Sequence, residues 1–207
     1  KAFSPVHMIG SQIMEAIRLH RKLDKKQARE FALKLLHSVG IANPGQRLNE
    51  YPHQLSGGMR QRAMIAMALS GQPSVLIADE PTTALDVTIQ AQVLQLINDL
   101  KASSEMSVIF ITHDLGVIAE MADDVAVMYM GMVVEYTTVE KLFHQPVHPY
   151  TIALMRAMPS MNNRGERLAS IEGTVPIPIN RKPGCPFFSR CPLAVPGWCD
   201  KADVNLT

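Results

Sequence analysis

The sequence predicts an α/β protein in which a mainly parallel sheet is sandwiched between helices. Short apolar runs at residues 75–78 and 107–112 have the length and composition of buried strands. Segments with apolar residues at helical spacing lie before, between and after these runs. Alternating strands and helices are typical of a parallel sheet covered by helices.

Each element has a local signal. Helices are indicated by apolar residues recurring every three or four positions, and the turn Asn43-Pro44-Gly45 ends the second helix. The predicted helices cover residues 7–20, 24–39, 56–69, 86–101 and 115–121, with further short helices within 138–158. The predicted strands cover residues 75–78, 107–112, 124–130 and 132–136. The strand at 75–78 is apolar throughout, so we expect both of its faces to be buried.

Composition narrows the class of protein. Apolar residues make up 47% of the 207, and the net charge is +1. This balance gives no electrostatic case for nucleic acid or anionic lipid as the main partner. The longest nearly uncharged apolar run, residues 125–134, is too short to cross a bilayer. Three cysteines are too few for a secreted disulfide framework, which favours a cytosolic protein.

Two adjacent carboxylates follow the first predicted strand. Asp79 and Glu80 would lie at the carboxyl edge of the sheet, where α/β folds bind ligands. Because side chains alternate along a strand, the two point in different directions. Asp79 can then hold a hydrated Mg²⁺ while Glu80 orients and deprotonates a water. The alternative is a solvated Asp-Glu pair at a strand end.

A glycine pair opens the predicted helix at residue 56. Gly57 and Gly58 let backbone N–H groups approach an anion, and Ser56 can add a hydrogen bond. Ser56 is also a favoured helix N-cap, which is the structural alternative. Gln54 lies just before this helix, where its side chain either lines the same site or is simply solvated. His113 follows the second strand and shares the sheet edge of the carboxylates, where an imidazole could contact a terminal phosphate.

In this order the motifs resemble the nucleotide-binding subunits of ATP-binding-cassette (ABC) transporters. Residues 55–61 are similar to the family signature motif and residues 75–80 to Walker B. Ala84-Leu85-Asp86 is similar to the D-loop and His113 to the switch histidine. The resemblance covers residues 7–158 and implies a P-loop NTPase-like cassette. Met59 and Thr83 depart from the commoner Gln and Ser, and neither change removes a carboxylate or a glycine.

The resemblance implies ATP and Mg²⁺ as cofactors and a second ABC ATPase subunit, identical or homologous, arranged head to tail. Ser56, Gly57, Gly58, Gln54 and Asp86 would then bind nucleotide, the glycine pair reaching the partner's ATP. Asp79, Glu80 and His113 would serve the chain's own nucleotide, with Glu80 and His113 catalytic and Asp79 binding Mg²⁺ through water.

The implied domains are a helical subdomain over residues 1–55, the signature-to-histidine part of the ATPase core over 56–158, and a Pro/Cys-rich tail over 159–207. No Gly-x-x-x-x-Gly-Lys-Ser/Thr phosphate loop occurs in the chain. We expect that loop, its lysine and the glutamine loop to precede Lys1, and the 207 residues alone to be inactive.

Other segments narrow the resemblance to the oligopeptide/dipeptide (and nickel) permease branch. They are residues 51–56, 64–69, 146–151 and the cysteine tail. This implies an oligopeptide importer at the cytoplasmic face of the bacterial inner membrane, with two permease subunits and, indirectly, a substrate-binding protein. Dipeptides and nickel are alternative cargoes. There are two alternatives to the importer function. The protein could be a soluble ABC ATPase that acts on nucleic acid or ribosomes, or a non-catalytic fragment.

Three cysteines lie in the tail, each beside a proline or glycine turn. Cys185, Cys191 and Cys199 are one ligand short of a closed zinc or iron–sulfur site. Related permease ATPases usually carry a further cysteine, which implies a [4Fe–4S] cluster in the complete protein. Zinc and unligated structural thiols are the alternatives. Trp198 and the Phe187-Phe188 pair are expected to pack this small domain.

Overall fold

A computed structural model describes residues 3–158, 170–176 and 183–201. It divides the chain into two compact units, Lys1–Leu115 and Gly116–Thr207. The boundaries predicted at residues 55 and 158 stay predictions. No helix of the described residues is both long and apolar enough to cross a membrane.

The first unit begins with helices that pack on one another. They are α1 (Ile9–His20), α2 (Lys25–Ser38), the single turn α3 (Pro44–Arg47) and α4 (Gly57–Leu69), with a 3₁₀ turn at Pro52–Gln54. Helices α1, α2 and α4 contact each other pairwise. Their facing positions, such as Ile13, Ala32 and Ala66, are fully buried. Small residues on α2 and α4 allow this close approach, since alanine adds little volume between helices.

Two parallel strands complete the first unit. Strand β1 (Val75–Asp79) pairs with β2 (Ser107–Ile111), and α5 (Val87–Ser103) connects them. This is the predicted strand–helix–strand order. The predicted helix over 115–121 is α6 (Leu115–Met121), which from Gly116 onward belongs to the second unit.

The prediction that β1 is buried on both faces is wrong. Val75 and Ile77 are 49% and 63% exposed, and Ile109 and Ile111 of β2 share their face and are similarly open. The alternate residues, such as Leu76, are buried. Apolar composition on both faces is typical of a doubly covered sheet, but the described elements cover one face only.

The second unit is built on an antiparallel hairpin. Strands β3 (Asp124–Tyr129) and β4 (Met132–Thr138) pair around Gly131, which has a φ of 77°. Positive φ is readily adopted by glycine, so Gly131 fits the predicted turn, while the preceding Met130 also has a positive φ of 48°. Helices α7 (Val139–His144) and α8 (Pro149–Arg156) follow. The hairpin, both helices and the described tail residues contribute to one apolar cluster that contains Phe187.

Candidate functional site

The glycine-opened helix begins with an N-cap. Ser56 has extended backbone angles, and its hydroxyl oxygen accepts a hydrogen bond from the Met59 N–H at 3.3 Å. This is the structural role that the sequence left open for serine. The hydroxyl hydrogen is not used by that bond, so Ser56 can still donate to an anion. Ser56 and Gly57 are exposed, which leaves the start of α4 accessible.

The two glycines of this helix have different surroundings. A β-carbon at Gly58 would lie 2.5 Å from Cγ2 of Ile89, whereas one at Gly57 would lie 3.3 Å from Cδ2 of Leu85. Gly58 is buried against the start of α5, and Gly57 faces solvent. The structure therefore brings the predicted signature motif beside the predicted D-loop within this chain.

Two further predicted nucleotide-binding residues make local hydrogen bonds. Asp86 is the N-cap of α5 and accepts from the Ile89 N–H at 2.9 Å. Gln54 accepts from the Tyr51 N–H at 2.7 Å through its side-chain oxygen. Both side chains belong to exposed residues. Each bond occupies one acceptor, and the Gln54 amide N–H₂ keeps its donors for a ligand.

The carboxylate pair lies where the parallel sheet ends. Asp79 is the last residue of β1, on the exposed face of the sheet. The Glu80 N–H donates to the Ile111 carbonyl at 2.9 Å, which extends the sheet ladder by one residue. Glu80 has a φ of 46°, in the left-handed region that non-glycine residues rarely adopt. Backbone strain of this kind concentrates at functional sites.

Both oxygens of the Glu80 carboxylate have partners. Thr83 donates its hydroxyl hydrogen to Oε2 at 2.8 Å, and Nδ1 of His113 lies 3.1 Å from Oε1. The Thr83 hydrogen bond, and then the His113 hydrogen bond, lower the pKa of Glu80 below its ordinary value. Glu80 is therefore ionised at neutral pH, the form that can accept a proton.

The structure thus brings Glu80 and His113 together from positions 33 residues apart in the chain. Their side chains remain open to solvent, at 46% and 79% exposure. Sequence reasoning named both residues but missed the contact of Thr83, which it noted only as a departure from serine. A hydroxyl three residues after a glutamate at a tight turn was the available signal.

Aromatic packing holds the described part of the tail. Phe187 is fully buried and lies edge-on to Tyr129, with ring centroids 5.3 Å apart. Tyr150 approaches the same ring at 5.4 Å. The predicted packing role of Phe187 is confirmed. The same expectation for Trp198 is wrong, because its side chain is 78% exposed.

The cysteines of the tail are free, and Cys185 is the most informative of them. Its backbone N–H donates to the Cys199 carbonyl at 2.7 Å, and burial raises the pKa of its thiol. His148 accepts from the Tyr150 N–H through Nδ1, so its other nitrogen carries the proton and faces the Cys185 sulfur at 3.8 Å. Burial lowers the pKa of His148, which favours this neutral imidazole.

The described part of the tail contains no preformed metal site. Among the described residues no group of three or more His, Cys, Asp or Glu side chains is placed to hold an ion. Cys191 and Cys199 both lie near enough to Cys185 to contribute to the raised pKa of its thiol. The three cysteines of the sequence prediction are thus neighbours in the described tail, but they do not form such a group in this structure.

Known proteins match both parts of the chain. The family model for the ABC transporter matches residues 5–83, and that for the oligopeptide/dipeptide transporter C-terminal region matches residues 134–199. The dipeptide transport ATP-binding protein DppD of Bacillus subtilis (strain 168) is 53% identical over 191 residues, or 92% of this chain and 57% of that protein. The oligopeptide transport ATP-binding protein AppD of the same organism is 54% identical over 194 residues, with coverage of 94% and 59%. The chain belongs to the oligopeptide/dipeptide ABC transporter ATP-binding subunit family.

Structural comparison confirms the predicted fold class. The dimeric structure of MJ0796, described as a bacterial ABC transporter cassette, superposes with a TM-score of 0.58 at 27% identity. The match covers 66% of this chain and 58% of that cassette. The chain therefore has the ABC cassette fold, and it spans a little under three-fifths of the length of the curated relatives quoted above.

Proposed function

We propose that this chain is part of the ATP-binding and ATP-hydrolysing subunit that powers an ABC importer for oligopeptides. Family membership supports the ATP-binding role, and the names of DppD and AppD support peptides as the cargo. The observation that carries the hydrolytic role is the geometry of Glu80. Its ionised carboxylate lies at the end of β1, held by Thr83 and His113 and open to solvent.

Glu80 is the general base of this proposal. Its carboxylate accepts the proton of a water that attacks the terminal phosphate, and the left-handed backbone at Glu80 directs the side chain away from the run of β1. His113 orients the carboxylate and contacts the terminal phosphate. Asp79, exposed at the end of the strand, has the oxygen donors that Mg²⁺ prefers and would hold the ion through water. Bound Mg²⁺ supplies charge neutralisation on the phosphates.

The start of α4 serves a second nucleotide. Ser56 and Gly57 are exposed at a helix N-terminus, where backbone N–H groups and the helix dipole favour a phosphate. We assign this surface to the ATP of a partner ATPase subunit, with Gln54 and Asp86 alongside. A dimeric MJ0796 cassette bound to ADP and Pi, 26% identical to this chain, is consistent with a shared nucleotide site.

The same proposal gives the partners and the location. Two transmembrane permease subunits would be moved when the ATPase pair closes and reopens, with a substrate-binding protein delivering the peptide. The chain would then be peripheral, at the cytoplasmic face of the bacterial inner membrane. Nucleic acid has no part in this function.

The test is ATP turnover of the complete subunit in its transporter complex. Glu80→Gln keeps the shape of the side chain and removes its basicity, so turnover should fall by about 10²–10⁴-fold while ATP still binds. Glu120→Gln, at an exposed position on α6, is the matched control and should leave turnover unchanged. Normal turnover in Glu80→Gln would show that another group is the base.

Cargo requires a separate measurement. ATP turnover in the reconstituted complex, with its substrate-binding protein, should rise when oligopeptides are added. Stimulation by dipeptides alone, or by nickel alone, would assign the chain to a dipeptide or nickel importer of the same branch. It would not affect the role assigned to Glu80.

The iron–sulfur cluster stays a separate prediction, from the resemblance alone. Its test is the colour of the complete subunit purified without oxygen. Broad visible absorbance that disappears in Cys191→Ser would support a cluster, and colourless protein with bound zinc would favour the alternative metal. A colourless, metal-free tail agrees with the geometry described above.

A further inference from the structure

Basic residues are concentrated at one turn of the first unit. Seven of the chain's 20 Lys and Arg residues lie between Arg18 and Lys34, together with only two acidic residues. This stretch carries a net charge of +5, although the whole chain carries +1. The overall charge therefore hides a strongly positive segment, and the argument from net charge against anionic partners does not apply here.

The fold collects these charges on one surface. One side of α1 between Ser11 and Leu19, the connection at residues 21–23 and Lys25 at the start of α2 line an open groove of about 610 Å³. Arg18, Arg21, Lys22 and Lys25 are its basic residues, and Glu15 is the acidic one. Arg29 lies one helical turn beyond Lys25, on the same face of α2. We call Arg18, Arg21, Lys22, Lys25 and Arg29 the basic turn.

Arg21 fixes the shape of this surface. Its Nε donates to the Ser70 carbonyl at 3.1 Å, and its guanidinium stacks on the Phe31 ring at 4.1 Å. Its Nη2 is buried and makes no hydrogen bond within the described residues. Arg21 therefore acts within this surface as a structural residue that joins the end of α1 to Ser70 and Phe31. Because Arg21 is held by two contacts, the charges beside it are presented without a large ordering cost.

The apolar residues of this surface favour a membrane over nucleic acid as its partner. Leu19 is 77% exposed between Arg18 and Arg21, a placement typical of surfaces that insert into a lipid interface. No Trp, Tyr or Phe occurs between Met14 and Glu30. The guanidinium of Arg21 covers one face of the Phe31 ring, which reduces the surface on which a base could stack.

We propose that the basic turn binds the anionic phospholipid headgroups of the membrane surface, with Leu19 entering the interface. This inference rests on the proposed function only in assuming that the subunit works beside a membrane. Lipid phosphates would neutralise the exposed lysines and arginines of the basic turn. The contact would orient the ATPase subunit at the bilayer independently of nucleotide.

The test uses the complete subunit with vesicles, without permease. Sedimentation should show binding to phosphatidylcholine vesicles that contain about 30% phosphatidylglycerol, weaker binding to pure phosphatidylcholine, and loss of binding at high salt. Replacing Lys22, Lys25 and Arg29 together by Gln should weaken binding roughly a hundredfold, at about fivefold per charge. These residues are exposed, so the fold should be retained.

The matched control removes the same charges elsewhere. Lys141, Arg156 and Lys201 are exposed, and their replacement together by Gln should leave vesicle binding within a fewfold of the native value. Equal losses in both variants would mean that only net charge matters and would overturn the site. Tighter binding to RNA than to the acidic vesicles, or no preference for them, would also overturn it.

Failure of this inference is distinguishable from failure of the proposed function. Glu80→Gln should bind vesicles normally, while the Lys22/Lys25/Arg29 variant should hydrolyse ATP normally in detergent. Inorganic phosphate at millimolar concentration should not displace the subunit from vesicles, since the proposed occupant is the lipid surface. Displacement would reassign the groove to a soluble anion and overturn the lipid contact.

Discussion

Replacing Gly58 by alanine should destabilise the first unit, because a new methyl group has no space against α5. A β-carbon at this position would lie 2.5 Å from Cγ2 of Ile89, where ordinary carbon contacts are 3.4–4 Å. Cγ2 is attached directly to a β-branched Cβ on a helix, so rotation cannot move it away cheaply. The two helices must separate by about an ångström, which costs about 1–3 kcal/mol.

A second term acts in the opposite direction. Alanine is a better helix former than glycine and restricts the unfolded chain, which stabilises by about 0.5–1 kcal/mol. The net expectation for Gly58→Ala is a loss of about 0–2.5 kcal/mol in the free energy of unfolding. Gly57→Ala is the control: its β-carbon would lie 3.3 Å from Cδ2 of Leu85, the movable end of a side chain. That variant should be neutral or slightly stabilised.

The assay is urea unfolding of the complete subunit followed by far-UV circular dichroism, with the midpoint and slope fitted for each variant. Ile89→Ala removes the obstructing carbon, so Gly58→Ala made in that background should no longer be destabilising. The cycle should give a coupling of about 1–3 kcal/mol. Gly58→Ala as stable as Gly57→Ala, or additive with Ile89→Ala, would refute steric contact as the reason for this glycine.

Three other changes have expected outcomes. Thr83→Val removes the hydroxyl that positions Glu80, so kcat for ATP hydrolysis should fall about tenfold with little change in KM. Thr83→Ser keeps the hydroxyl and should retain activity. A change confined to KM would contradict the positioning role. Arg190→Lys should destabilise the tail by about 1.5–3 kcal/mol in thermal or urea unfolding. The reason is that the planar guanidinium of Arg190 donates hydrogen bonds to three carbonyls and one hydroxyl, a geometry that lysine lacks. An unchanged unfolding midpoint would argue against this role of Arg190. Gly10→Ala should lower the free energy of unfolding by about 1–3 kcal/mol, because its β-carbon would lie 2.5 Å from the Leu48 carbonyl oxygen. Gly45→Ala is the control, since its β-carbon would lie 4.0 Å from the nearest side-chain atom, and should be tolerated in the same assay.

Local signals predicted the elements of the fold closely. The strand at 75–78 is β1 (Val75–Asp79), and the helix over 115–121 forms at those residues. Asp24 and Ser56 cap the helices that follow them, because a capping side chain bonds only to its own next turn. Such features depend on neighbours within four residues, so residue order is sufficient to find them.

The contacts within the site could be predicted less fully from the sequence. Glu80 and His113 could be placed at one sheet edge from strand order, but their 3.1 Å approach depends on the pairing of β1 with β2. Thr83 and the left-handed backbone of Glu80 were missed, since backbone angles at a turn depend on what the surrounding residues impose. The proton arrangement between His148 and Cys185 likewise follows from a contact across 37 residues.

Residue order alone predicted the cassette motifs, their sequence of helices and strands, and the chemistry that Asp79, Glu80 and His113 could perform. Tertiary structure decided which groups meet: that Gly58 packs against α5, that Glu80 is held from two sides, and that Cys185 of the tail faces His148. It also decided that one apolar face of the parallel pair is open. The physical reason is range, because periodicity and capping act within a few residues, whereas burial and convergence depend on segments that the folded chain brings together.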